Sequence, residues 1–112
     1  MKGDLMATFY ALGKYTAQGF QGFCKDPKSD RAQAARTAAE AVWSKLFSYT
    51  GLWGPYDFLA VFEATFAQGA GVKMAKEASG ALCDIAVCEA ININEVAANA
   101  AKIAAAYKGP GK

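Results

Sequence analysis

An α+β fold built on one four-stranded antiparallel sheet is predicted by three observations. Four apolar runs have the length of strands, two amphipathic segments lie between them at helical spacing, and turn or capping residues stand at the junctions. The order strand, helix, strand, strand, helix, strand is that of a ferredoxin-like βαββαβ unit, here followed by one more helix. At 112 residues the chain has the size of a single domain. The reading places the six-element core at 6–91 and the carboxy-terminal helix and tail at 92–112.

Met6 to Gly13 is aromatic, apolar and short, and it ends at glycine, which favours a buried strand. Thr16 can cap a short helical segment that presents Phe20, Phe23 and Cys24 on one side, until Lys25-Asp26-Pro27 breaks the pattern. Helix resumes with Ser29 or Asp30 as N-cap, because Ala32, Ala35, Ala39, Val42 and Leu46 recur at spacings of three and four. Lys45 to Trp53 alternates as a second strand, with Phe47, Tyr49 and Trp53 on one side and Leu46, Ser48, Thr50 and Leu52 on the other. Gly54-Pro55 is turn chemistry, so Tyr56 to Ala64 returns as the third strand of a hairpin. Thr65 and Gln68 have capping-box spacing and open a helix that stops at Gly80, with Gly69 and Gly71 either weakening it or permitting close packing. Ala81 to Ile91 is the fourth strand. Asn92 to Glu95 then begins the last helix, whose apolar stripe is Val96, Ala100, Ile103 and Tyr107.

On the third strand Tyr56, Phe58, Ala60 and Phe62 point one way, while Asp57, Leu59, Val61 and Glu63 point the other. The fourth sets Leu82, Ala86 and Cys88 against Ile85, Val87 and Ile91. Both faces of the sheet are thus largely apolar, and two helices cover only one of them. The same face of a second copy would shield the rest, giving a homodimer or larger assembly. Folding of the last helix over the open face is the structural alternative.

Apolar residue types make up 54% of the chain and charged ones 20%, a composition that favours core and interface over solvated surface. A net charge of +2, with Arg31 and Arg36 the sole arginines, offers little purchase on a phosphate backbone, so no nucleic acid is expected as a partner. Histidine is absent, which excludes Ser-His-Asp and Cys-His catalysis within one chain and removes the commonest metal ligand. Cys24, Cys83 and Cys88 form no CxxC pair; free thiols in a reducing compartment fit them, and Cys83 and Cys88, an odd number apart, would face opposite sides of a strand. Met1-Lys2-Gly3-Asp4 and the residues after it lack the apolar core of a signal peptide, and no run reaches the ~18 apolar residues of a membrane span. A cytoplasmic protein with no membrane partner, no metal and no cofactor is expected.

Ala11-Leu12-Gly13-Lys14-Tyr15-Thr16, a middle helix ending near Lys45, and Gly54, Tyr56 and Asp57 leading into Val61-Phe62-Glu63-Ala64 together resemble the GYD domain family. The resemblance covers Met6 to about Ala90 and implies a ferredoxin-like, dimeric α/β-barrel protein. Pro55 stands where a polar residue is expected, and the helix from Asn94 to Tyr107 is longer than the family's usual ending. The family brings no settled activity with it.

Tyr49, Trp53, Tyr56 and Asp57 are the candidate ligand-binding residues; no catalytic residue is assigned. Asp57, where a turn enters a buried strand, could act as a base with raised pKa beside Tyr56 or Tyr49, or could accept backbone hydrogen bonds at the hairpin. Glu63 and Glu89, if on the Asp57 side, could gather a proton or a metal, or could sit in water at the rim. Two functions follow: a self-associating domain with a structural or regulatory role, or a small-molecule-binding protein or cofactor-independent enzyme with a pocket near Tyr56 and Asp57, between sheet and helices or at the dimer centre.

Overall fold

Thr16, Asp30, Thr65 and Asn92 each precede a helix and each accept a backbone N–H of its first turn, so the boundaries follow directly from capping chemistry. At Thr65 the box is complete, because the Gln68 side chain accepts from the Thr65 N–H at 2.9 Å. The structure is a computed structural model describing residues 5–112; Met1-Lys2-Gly3-Asp4, which entered the targeting expectation, lie outside the described residues. Its elements are β1 (Met6–Tyr15), α1 (Ala17–Lys25), α2 (Arg31–Glu40), β2 (Lys45–Gly51), β3 (Phe58–Thr65), α3 (Phe66–Ala78), β4 (Leu82–Glu89) and α4 (Ile93–Ala106).

The strands form one antiparallel sheet in the order β2-β3-β1-β4, the ferredoxin-like arrangement. Pairing Phe9 with Phe62 and Ala11 with Ala60 aligns the apolar residues of the two central strands on one face. Phe9, Ala11, Phe58, Ala60, Phe62, Ala64 and Ile85 are the buried core beneath the helices. Phe9 and Phe62 stack with ring centroids 5.6 Å apart. Gly69 lets α3 approach this pair: a Cβ there would stand 2.9 Å from the Phe9 ring.

Two bulges alter the predicted faces. Leu46 pairs with Phe62 and Ser48 with Val61, so Phe47 is the extra residue in β2 and the alternation resets after it. Leu46 and Tyr49 therefore share the helix side, in place of the expected grouping of Tyr49 with Phe47 and Trp53. In β4 the step from Leu12–Ala86 to Lys14–Cys83 inserts a residue at Asp84, whose φ is 52°. Leu82 thereby joins Ile85 and Val87 on the helix side, and Cys83 and Cys88 fall on one face instead of opposite ones. They remain well separated along the strand and are free thiols.

The bulge leaves Ile85 without a partner in the β1–β4 register, and α3 supplies one. The Glu77 carboxylate accepts from the Ile85 N–H at 3.0 Å, and the Lys73 ammonium donates to the Ile85 carbonyl at 2.9 Å. The two side chains pair with each other at 2.5 Å, one turn apart.

The helix α2 ends at Glu40 rather than near Lys45, and Val42 and Leu46 lie beyond it. Trp43 adopts a φ of 63°, its N–H donates to the Glu40 carbonyl, and the Ser44 N–H donates to Ala39, the paired bonds of a left-handed helix stop. At the other end of the chain, α4 buries no residue and forms no substantial packing with another element. It extends from the sheet, giving dimensions of 62 × 31 × 22 Å and a radius of gyration of 17.9 Å, against roughly 13 Å for a compact domain of this size. The alternative in which this helix roofs the open face is thereby excluded for a single chain. No helix among the described residues is long and apolar enough to cross a membrane.

Candidate functional site

Two features of the sheet lack an explanation within one chain: its outer face and a cleft on its helix side. The outer face carries Tyr10 and Leu12 of β1, Leu59 and Val61 of β3, and Ala86 and Cys88 of β4, paired across the strands as Tyr10–Val61, Leu12–Leu59, Leu12–Ala86 and Tyr10–Cys88. Neighbouring strands shield the flanks of Leu12, Leu59 and Val61, but none of the three belongs to the core on the helix side. Polar groups frame the strip: Lys45 opposite Glu63 at one end, and Lys14 with Asp84 at 3.8 Å at the other. An apolar centre with a charged margin is the anatomy of a protein interface.

On the helix side, α2 rests on β2 while α3 rests on β4 and β3, and the two helices do not pack closely on each other. Their facing side chains are short, Ala35, Ala38 and Ala39 against Ala67, Gly71 and Ala75, so the gap between them stays open. It is a cavity of about 420 Å³ floored by Ala60, Phe62 and the Phe58 ring. The small helix residues that would allow close contact instead create a cleft.

One end of the cleft is polar. The Tyr15 and Tyr49 hydroxyls are 2.5 Å apart and share a hydrogen bond. Tyr49 stacks on Phe58 at 5.5 Å and 4° between planes, and Tyr15 meets Phe23 edge-on at 5.0 Å, so both phenols are held in place by rings. Burial is the main cause that raises both phenol pKa values, and both remain protonated at neutral pH. Lys76 of α3 reaches this end, where a second cavity of about 290 Å³ continues between α1 and α2 and is bordered by Arg31. Burial, then the nearby Arg31 charge, lowers the Lys76 pKa. Neither cation forms an ion pair among the described residues. Asp26 borders the second cavity, with an oxygen 3.3 Å from the Lys28 N–H.

Of the residues singled out from the sequence, Tyr49 lines both cavities. Asp57 lines neither; its carboxylate accepts from the Tyr15 N–H at 2.9 Å, its own N–H donates to Gly13 and its carbonyl accepts from Leu52, so it fastens the hairpin to β1. Trp53 is fully exposed beyond the end of β2, and Tyr56 lies in the loop before β3, outside both cavities. Glu63 faces outward, whereas Glu89 pairs with Phe9 on the helix side, so the two acids do not converge. No cluster of three metal-ligating residues occurs among the described residues. Tyr15, Arg31 and Lys76 were not singled out together, since no spacing links positions that only the β1–β3–β2 register and the α2–α3 gap bring near one another.

The GYD domain model matches residues 9–104. The chain belongs to the GYD domain family. The match continues through most of α4, so in this GYD domain the last helix lies largely within the matched region, beyond the limit near Ala90 drawn from the sequence. No curated protein matches the chain. No solved structure matches it either.

Proposed function

We propose that this GYD domain is a self-associating protein, a homodimer or larger assembly whose subunits meet through the outer faces of their sheets. The carrying observation is the apolar strip of Tyr10, Leu12, Leu59 and Val61, which no element among the described residues covers while α4 extends away from it. A two-fold axis over Leu12 and Val61 would set the strip on itself and bring the charged margins into contact with opposite charges, closing a two-subunit α/β barrel. α4 supports the same reading. Ile93, Val96, Ile103 and Tyr107 are 71%, 48%, 65% and 68% exposed, an apolar stripe that a neighbouring subunit would shield. Unpaired cysteines fit a reducing compartment, and the cytoplasm is the proposed location.

Sedimentation velocity on the wild type and on Val61→Arg tests the interface. The variant adds a charge to the middle of the strip without entering the core. The expected result is an assembled wild type and a folded Val61→Arg monomer, checked by circular dichroism. An assembly unchanged by Val61→Arg and by Leu12→Glu would place the contact elsewhere.

A further inference from the structure

The α2–α3 cleft lies on the opposite side of the sheet from the proposed interface and stands independently of it. Its volume falls in the ~300–1,000 Å³ range of small-molecule sites, and it has their usual make-up, apolar walls with a few convergent polar groups at one end. A simple gap between helices would be expected to close on larger side chains or to carry polar groups at random around its rim. Here the two cations, Lys76 and Arg31, stand at one end beside the Tyr15–Tyr49 pair, with Asp26 at the border of the second cavity and Ser44 and Gln68 elsewhere on the first. Arg31 and Lys76 come from different helices, both border the second cavity, and neither forms an ion pair with a carboxylate among the described residues. An anion placed at that shared border would offset both positive charges and gain charge-assisted hydrogen bonds.

The tyrosine pair adds a donor. In the Tyr15–Tyr49 hydrogen bond only one phenolic proton is used, so the other hydroxyl keeps a proton for a third group. The rings that hold the pair, Phe58 and Phe23, fix where that proton is offered.

We propose that this cleft binds a small amphipathic acid, with its apolar tail between α2 and α3 over Ala60 and Phe62 and its carboxylate received by Lys76, Arg31 and the Tyr15–Tyr49 pair. The apolar length and the acidic head are both required, since the floor and walls are mostly apolar, with Ser44 and Gln68 as the polar side chains away from the cationic end, and that end offers an alcohol little beyond one hydrogen bond. Replacing the carboxylate by a hydroxyl removes the charge-assisted hydrogen bonds, an affinity loss of about tenfold or more.

Isothermal titration calorimetry of the full chain with decanoate, and with decanol as the neutral counterpart, tests the assignment. Saturable binding of one decanoate per chain is expected, at least about tenfold tighter than decanol. Lys76→Met should abolish the preference for acid over alcohol while leaving the circular dichroism spectrum intact. Ala75→Leu, which fills the cleft without touching its polar end, should weaken both ligands alike. Absence of saturable decanoate binding, equal affinity for decanol, or an undiminished preference in Lys76→Met would each overturn the proposal. If Lys76→Met fails to fold, Tyr49→Phe serves in its place, and equal preference in that variant and the wild type would count against the site.

Discussion

Trp43 occupies a left-handed backbone position that glycine ordinarily takes, and it does so with its side chain 91% exposed, so packing does not offset the strain. The left-handed conformation costs a residue with a Cβ about 1–2 kcal/mol, part of which glycine returns through the entropy of its unfolded state. Trp43→Gly should therefore raise stability by about 0.5–1 kcal/mol, readable as a small rise in thermal midpoint. The glycines of α3 give an opposed pair. Gly71→Ala meets nothing within 4 Å and should gain up to ~1 kcal/mol of helix propensity. Gly69→Ala drives a methyl into the Phe9 ring, which is 3% exposed and has no room to move; overpacking at about 1–3 kcal/mol should exceed the propensity gain and lower the midpoint. At this scale the caps were legible, since Thr16, Thr65 and Asn92 act through neighbours two or three residues away. The role of Asp57 was legible as one of two options, and only the position of the Tyr15 N–H, 42 residues earlier, shows which donor it takes.

The Lys73–Glu77 pair is what allows β4 to bulge. Without it the Ile85 N–H and carbonyl would lose the partners that α3 provides, and unpaired backbone groups beneath a helix are costly. The Glu77 carboxyl is held below the usual carboxylate range, first by its bond to Lys73 and then by the Ile85 N–H. A lowered folded-state pKa means that the stabilisation is complete above the ordinary carboxylate value and is lost as pH falls through the lower, folded one. Thermal midpoints of the wild type and Glu77→Gln should accordingly differ at neutral pH, with the wild type higher, and converge on acidification; a gap that does not narrow would show that Glu77 acts otherwise. Element identity and order were legible because each apolar run matches one period and ends at a turn or cap. The faces of β3 were legible too, but those of β2 and β4 were not, because a single unpaired residue at Phe47 or Asp84 inverts every side chain beyond it, and alternation alone carries no mark of where that occurs. The cleft was legible only as one option, a pocket between sheet and helices with Tyr49 in its lining, because alanines on α2 and α3 fit close packing as readily as they fit a gap.

Over the whole molecule the two unfilled demands are the outer sheet face and the stripe on α4, and both are met by the same proposal of a second copy. The mismatch between a sheet apolar on both sides and a helical layer on one side was readable from composition and period, since it depends on how many elements there are rather than on where each side chain lands. The extension of α4 was not, because a stripe of Val96, Ala100, Ile103 and Tyr107 fits docking on its own sheet as well as on a neighbour's. Removing α4 at Asn92 should leave the sheet and its helices folded, as none of its residues is buried in the chain, while weakening any assembly that the helix bridges. Sedimentation equilibrium of the 112-residue chain decides whether a second copy shields the outer sheet face. A mass of at least twice the 11.8 kDa of one chain is expected at micromolar concentration; a single-chain mass that persists on concentrating the protein would rule self-association out.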